Sequence, residues 1–322
     1  MATRKTIVEQ SAEIRGRIKG QAEADGLTVR SMPDSGSFAK KTGLRRHMRG
    51  SIEVEGQDVD LPFVLKRTTD DGDRVDELLR RFERYATNSY PNTPRKVTKS
   101  SVELQFVATK LQYDLVPMLA TDKMDYQLIL KSDGTRRLTS VSKHTEFVER
   151  RTAKSNQQPG RVAFNECERL LKWWRCIRLG ESAVLEKVST ILIELLCASA
   201  FDRLGVKETY TDTLHEWFAW LAHVTAKRVS VKFDDYQTVE SKPGAHRVNA
   251  VWSVLDPVNA TNNVVPAEWG NIEVSELADW FEAARDAMAR VVSLEMAGRA
   301  GEMETVLSKL FGPAIITHGA AK

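Results

Sequence analysis

The sequence predicts an α+β protein: a mixed β-sheet with helices on one side, followed by a second half built of helices. Three observations predict it. Short apolar runs bounded by turn residues recur between residues 54 and 130, as strands require. A polar stretch from Ser142 to Gly160 then interrupts the chain. Beyond it, apolar residues recur at helical spacing. This order suits a sheet lobe followed by a helical lobe, with residues 1–155 in the first and 156–322 in the second.

Each element has its own signal. Ile7, Ile14 and Ile18 form a stripe among charges, so Thr6 to Ala24 reads as a long first helix. Gly26 and Met32-Pro33-Asp34 end it. A short helix starts at Ser37 and runs to about Lys41. A basic, looped segment with Lys40, Lys41, Arg45, Arg46 and Arg49 follows. Val54 to Leu65 reads as strand. Val75, Leu78, Leu79 and Phe82 make Asp73 to Tyr90 a helix, closed by Ser89-Tyr90-Pro91. Ser101 to Val107, Leu111 to Pro117 and Tyr126 to Leu130 read as three strands, with a turn at Lys131-Ser132-Asp133-Gly134. In the second half, helices are predicted over Val162–Arg178, Val184–Leu204, Leu214–Ala226 and Val274–Ala297. The second of these is apolar on nearly all sides and therefore central.

Composition bounds the function. The 322 residues are 42% hydrophobic and 28% charged, an ordinary globular balance. A net charge of +3 is too mild to argue for a polynucleotide-binding surface. No apolar run is long enough to span a membrane, and the N-terminus has no signal-peptide character. Cys167, Cys176 and Cys197 are odd in number, lack metal-ligand spacing and sit in apolar helical contexts. They read as buried thiols in a reducing cytoplasm.

The chemistry concentrates in one stretch. Asp58 and Asp60 stand at i and i+2, so on a strand both carboxylates face the same way. Asp114 lies in another apolar strand that can pair beside them. Three carboxylates at one point repel, and a divalent metal with a taste for hard oxygen ligands, such as Mg²⁺ or Mn²⁺, removes that cost. Two ions about 3.5–4 Å apart activate a hydroxyl and stabilise a leaving phosphate. Gly36 and Ser37 open a short helix, whose first N–H groups suit phosphate and equally suit simple capping. The basic cluster either neutralises triphosphate or balances the aspartates. Lys172, from its helix alone, reads as a snorkelling lysine.

Gly36-Ser37, Asp58-x-Asp60 and Asp114 in Tyr113-Asp114-Leu115-Val116-Pro117 together resemble the signature of template-independent nucleotidyltransferases with a polymerase-β-like core. The branch it looks most like contains oligoadenylate synthases, cyclic GMP–AMP synthase and the bacterial CD-NTases. Leu170-Leu171-Lys172-Trp173-Trp174 and Asp256-Pro257…Asn262-Asn263 resemble segments of the helical C-terminal lobe of that branch. The resemblance implies a polymerase-β-like sheet lobe, an oligoadenylate-synthase-like helical lobe and an active site between them. It implies Asp58, Asp60 and Asp114 as metal ligands and Gly36, Ser37, Lys172 and Ser189 as contacts to the donor NTP. Tyr236 would stack on a base. The implied reaction joins NTPs such as ATP and GTP into a cyclic di- or trinucleotide for anti-phage signalling, reaching an effector through the product. Rival acceptors are RNA, tRNA or a protein side chain, and a rival class is a silent nucleotide- or RNA-binding scaffold. The lack of a zinc cluster argues against activation by duplex nucleic acid. The small-residue end after Ile316 reads as a mobile tail open to conjugating or regulatory proteins.

Overall fold

Alternation along two parallel strands decides the architecture of the first half. The computed structural model describes residues 4–44, 47–49, 52–54, 58–66, 75–130, 136–236 and 249–312, with backbone alone at 47–49, 52–54, 75–76 and 130. The turn expected at 131–134, Arg45 and Arg46 of the basic cluster, and the tail beyond Gly312 lie outside these residues. The chain forms two compact units, Met1–His47 with Glu55–Glu146, and Met48–Val54 with Phe147–Lys322.

In chain order the elements begin α1 (Arg4–Ala24), β1 (Val29–Ser31), α2 (Gly36–Ala39), β2 (His47–Arg49), β3 (Ile52–Val54), β4 (Asp58–Leu65) and α3 (Val75–Ser89). Then come β5 (Arg95–Val97), β6 (Val102–Phe106), β7 (Leu111–Ala120), β8 (Gln127–Leu130), β9 (Arg136–Thr139) and α4 (Val141–Ser155). A 3-10 turn at Pro159–Arg161 leads to α5 (Phe164–Cys176), α6 (Ala183–Lys187), α7 (Thr190–Leu204) and α8 (Tyr210–Ala226). The chain closes with β10 (Leu255–Asp256), β11 (Asn259–Asn263), α9 (Asn271–Met296) and α10 (Ala300–Phe311).

The main sheet runs β1-β4-β7-β6-β5, with β8 also on β7 and β9 on β8. The β4–β7 pair is parallel; β6 and β8 meet β7 antiparallel. Odd-numbered residues Val59, Leu61, Phe63 and Leu65 of β4 and Leu111, Tyr113, Leu115 and Leu119 of β7 share one core. Ile7, Ile14 and Ile18 of α1 and Leu78, Leu79 and Phe82 of α3 complete it. Each large apolar side chain buried there contributes about 1.5–3 kcal/mol. Even-numbered residues turn to the opposite face, which starts with Asp58, Asp60 and Asp114. Further along it, Val116 and Met118 pack with Val141.

Four expectations need correction here. Strand β4 begins at Asp58, not Val54, and the basic segment before it is not all loop, because β2 and β3 pair there. Pro117 does not end its strand. It lies where β7 changes neighbours on one edge from β6 (Leu111–Leu115) to β8 (Met118–Ala120), so no continuous ladder is interrupted there. The polar stretch after Ser142 is mostly helix: α4 buries Phe147, Val148 and Arg151 and exposes Glu149 and Arg150.

The second unit is built around α7, where Leu192 to Ala198 are buried without a break. Trp174 of α5 stacks on Phe281 of α9 (5.5 Å between centroids) and meets the edge of Phe218 of α8 (5.3 Å). The single helix expected over Val184–Leu204 is two, α6 and α7, because Ser189 caps the second. The Asp256-Pro257…Asn262-Asn263 segment is a β10–β11 hairpin held by buried amides. Asn263 Oδ1 accepts from the N–H groups of Val254 (3.0 Å) and Val265 (3.1 Å), and its Nδ2 donates to the Trp252 carbonyl (2.8 Å). Asp256 accepts from the Val258 N–H and from Asn262 Nδ2. A buried polar group left without its partner costs about 1–3 kcal/mol. Asn263→Ala strands three such groups and is expected to destabilise the second unit by about 3 kcal/mol, read as a lower urea midpoint; an unchanged midpoint would remove the network's structural role.

Candidate active site

Register brings two of the three aspartates together. Along the parallel β4–β7 ladder Asp58 stands opposite Gln112 and Asp60 opposite Asp114, so Asp60 and Asp114 are direct lateral neighbours on one face. Both are half-buried. Asp58 shares their face two residues back along β4, about 6.6 Å away along the strand. Among the described residues, no three Asp, Glu, His or Cys side chains converge closely enough to hold one ion. The carboxylates therefore form an adjacent pair with Asp58 beside it.

Gly36 closes the site from the α2 side. Its φ of +68° is a left-handed value, and a Cβ placed there would come 1.9 Å from Asp60 Oδ2. Only glycine fits, both for its backbone and for its space. Ser37 follows on the first turn of α2, where its carbonyl accepts from the N–H groups of Thr42 (2.9 Å) and Gly43 (3.1 Å). This pins the chain leaving the helix back onto its start.

Charge in the site is out of balance. Burial, and then the charge of Asp114, push the Asp60 carboxyl up to about 6, with Lys40 pulling it partly back. Among the described residues of the basic cluster, Lys40 is thus one whose charge reaches Asp60. On the other side, Ser101 Oγ donates to Asp114 Oδ1 at 2.8 Å. Ser101 and its partner Thr98 come from the β5–β6 turn, and sequence reasoning missed both: a serine before a strand carries no signal of what its hydroxyl will meet.

The remaining candidates lie in the second unit. Lys172 is only 5% exposed and forms ion pairs with Glu168, one turn earlier on α5, and with Glu194 of α7 (3.6 Å). Burial alone would lower its pKa, but the two carboxylates overcome this and leave it raised. The snorkelling alternative is overturned, since the ammonium is inside. Ser189 Oγ accepts from the Leu192 N–H (3.3 Å) as the N-cap of α7. Tyr236 is half-buried against the second core. Its neighbour Asp235 is clasped by the guanidinium of buried Arg151 (2.8 and 3.0 Å), which also holds Asp202.

Residues 1–151 match the family described as the Second Messenger Oligonucleotide or Dinucleotide Synthetase domain. The chain is 26% identical over 261 residues to a CBASS oligonucleotide cyclase, CdnC, of Escherichia coli (strain KTE188), covering 78% of this chain and 73% of that one. The structure of E. coli MS115-1 CdnC with ATP superposes with a TM-score of 0.70 at 23% identity, over 94% of this chain and 90% of that one. The complex of that CdnC with HORMA-deltaN gives a TM-score of 0.69 at 22% identity, over 94% and 89%. Residues 1–151 carry that synthetase domain, and the chain as a whole is similar to bacterial CD-NTases. It is a nucleotidyltransferase with the polymerase-β-like fold of that family.

These geometries give two expectations. The Asp60 carboxyl, raised from 3.8 to about 6, binds its proton more tightly folded than unfolded. Stability of the metal-free protein then falls as pH rises between those values, and the deficit is complete above pH 6. Asp60→Asn should abolish that slope. Taking roughly 1 kcal/mol after solvent screening, it should raise the melting temperature in chelator by about 2–4 °C at pH 7.5 and leave it unchanged below pH 4. Lys172→Met leaves Glu168 and Glu194 uncompensated, at a cost of about 3–5 kcal/mol. Urea unfolding checks it: a native midpoint with a raised KM for NTP would instead make Lys172 a donor contact.

Proposed function

We propose that this chain condenses NTPs such as ATP and GTP into a cyclic di- or trinucleotide, a second messenger of bacterial anti-phage (CBASS) signalling. One observation carries the reading: Asp60 and Asp114 stand side by side on parallel strands with Gly36 pressed against Asp60. The similarity to a CBASS oligonucleotide cyclase supports the product class.

The donor set fits a divalent cation. Its atoms are hard carboxylate oxygens, and Asp114 raises Asp60 by a repulsion that a cation relieves. The adjacent pair Asp60 and Asp114 would hold Mg²⁺ or Mn²⁺, with Asp58, two residues back on the same face, as the third proposed ligand. Such a metal, when bound, supplies Lewis-acid stabilisation to the phosphate oxygens and the leaving pyrophosphate. The chain's own groups do the rest. Backbone N–H groups at Gly36 and Ser37 face the donor triphosphate, and Lys40 adds positive charge beside Asp60. A ribose hydroxyl of the acceptor forms its bond to the donor α-phosphorus as the bond to pyrophosphate breaks. Its proton passes to the Asp114 carboxylate, which Ser101 holds through a hydrogen bond to Oδ1. A further transfer on the linear intermediate closes the ring. Tyr236 offers a ring for stacking on a base, worth about 1–3 kcal/mol. Lys172 and Ser189 support the donor side from the second unit by fixing α5 and α7.

E. coli MS115-1 CdnC has been solved bound to HORMA-deltaN, and we extend a regulatory protein partner to this chain. The product, not the enzyme, reaches the effector. NTPs are cytoplasmic, and so is the proposed reaction. Duplex nucleic acid is not required in this reading.

The test is product analysis. The chain, co-expressed with its neighbouring genes, purified and nuclease-treated, is incubated with the four NTPs and Mg²⁺ or Mn²⁺ and analysed by mass spectrometry. Cyclic products and pyrophosphate are expected from the native chain. A folded Asp60→Asn/Asp114→Asn variant should lose at least about 10³-fold in rate, since both would remove metal oxygens. Equal products from that variant would end the proposal, and activity restored only by added duplex would overturn the activator-free part of it.

A further inference from the structure

Asp114 is served by a chain of hydroxyl donors whose direction can be worked out proton by proton. Ser101 Oγ lies 2.8 Å from Asp114 Oδ1 and, on its other side, 2.8 Å from Thr98 Oγ1. A serine hydroxyl has one proton. The carboxylate has none to give, so Ser101 donates to Asp114 and accepts from Thr98. Thr98 Oγ1 in turn accepts from the backbone N–H groups of Ser101 (3.0 Å) and Ser100 (3.3 Å). The turn itself is closed by the Thr98 N–H donating to the Ser101 carbonyl at 2.9 Å. Ser101 is buried, 7% exposed, so water does not readily replace it. The Thr98 hydroxyl also lies 3.3 Å from the Ser101 carbonyl, but Ser101 Oγ at 2.8 Å is its nearer acceptor, which leaves the Ser101 proton for Asp114.

We propose that Ser101, backed by Thr98, is a positioning residue of the reaction: its hydrogen bond to Oδ1 limits the rotation of the Asp114 carboxylate and so orients it toward metal and acceptor hydroxyl. The inference rests on the reading of Asp114 as a site residue. Its physical basis is general. A carboxylate held by one hydrogen bond loses rotational freedom before it binds, and the hydroxyl stabilises its charge. Groups that orient a metal-binding carboxylate in this way typically account for about 10–100-fold in metal affinity or activity. The β5–β6 turn is thereby part of the site, although none of its residues is charged between Thr98 and Ser101 except Lys99.

The experiment compares Ser101→Ala, Ser101→Thr, Thr98→Val and Asp114→Asn in the full chain. Each is measured for Mn²⁺ affinity by calorimetry without nucleotide, for kcat and KM with NTP, and for melting temperature. Ser101→Ala is expected to weaken Mn²⁺ binding and lower kcat by about 10–100-fold with little change in KM. Ser101→Thr, which keeps the hydroxyl, should recover most of both, and Thr98→Val should lose less than Ser101→Ala. Ser101→Ala with native Mn²⁺ affinity and native kcat would overturn the inference. So would losses that follow the melting temperature alone and are not recovered in Ser101→Thr. If Asp114→Asn is itself native in both readouts, the reading of Asp114 fails first; if Asp114→Asn is inactive and Ser101→Ala is not, only the positioning role fails.

Discussion

The first unit depends on β4 and β7 being parallel and in one register. That pairing sets Asp60 against Asp114 and sends every second side chain into the core beneath α1 and α3. A slip of one residue would turn the carboxylates into that core and Phe63 out of it, so hydrophobic burial fixes the geometry of the polar pair. Parallel strands need a long crossover. Here it comprises α3 and the β5–β6 hairpin, and the hairpin's turn delivers Ser101 to Asp114. One topological requirement thus supplies both the pair and its support.

The two units treat buried charge in opposite ways. In the first, two carboxylates are neighbours, Lys40 offsets the burden on Asp60 only in part, and Asp60 carries the cost as a raised pKa. In the second, each buried cation sits between two acids: Lys172 between Glu168 and Glu194, Arg151 between Asp202 and Asp235. Like charges stand side by side where the proposed metal would relieve them, and the buried cations of the second unit are paired. This asymmetry supports the proposed placement of the chemistry in the first unit.

Much of the first unit was legible because its strands are apolar and its acids are spaced by two. Asp58 and Asp60 could be placed on one face from periodicity; that Asp114 joins them depends on the register of β4 against β7. Gly36 could be singled out as a turn glycine, but not its contact with Asp60, which arises only in three dimensions. The polar stretch after Ser142 misled because its buried face is carried partly by Arg151, which a hydropathy reading counts as solvent-facing. Lys172 was misjudged for the same reason: its partners stand one turn away on α5 and on α7, and nothing local reveals that all three are inside. Ser189 looked like part of one long helix because Val188 and Thr190 flank it with no glycine or proline to mark the break. The β2–β3 pair, His47–Arg49 and Ile52–Val54, is only three residues a side, too short for any alternation to announce a strand.

Gly36 also has a diagnostic value. The space where its Cβ would lie is filled by a carboxylate oxygen of Asp60, and its backbone is left-handed. A chain of this fold that carried any side chain at the equivalent position would have had to move that carboxylate, even with every acid still in its sequence. Counting aspartates would score such a chain as an intact enzyme; inspecting one glycine would mark it as a degenerate copy.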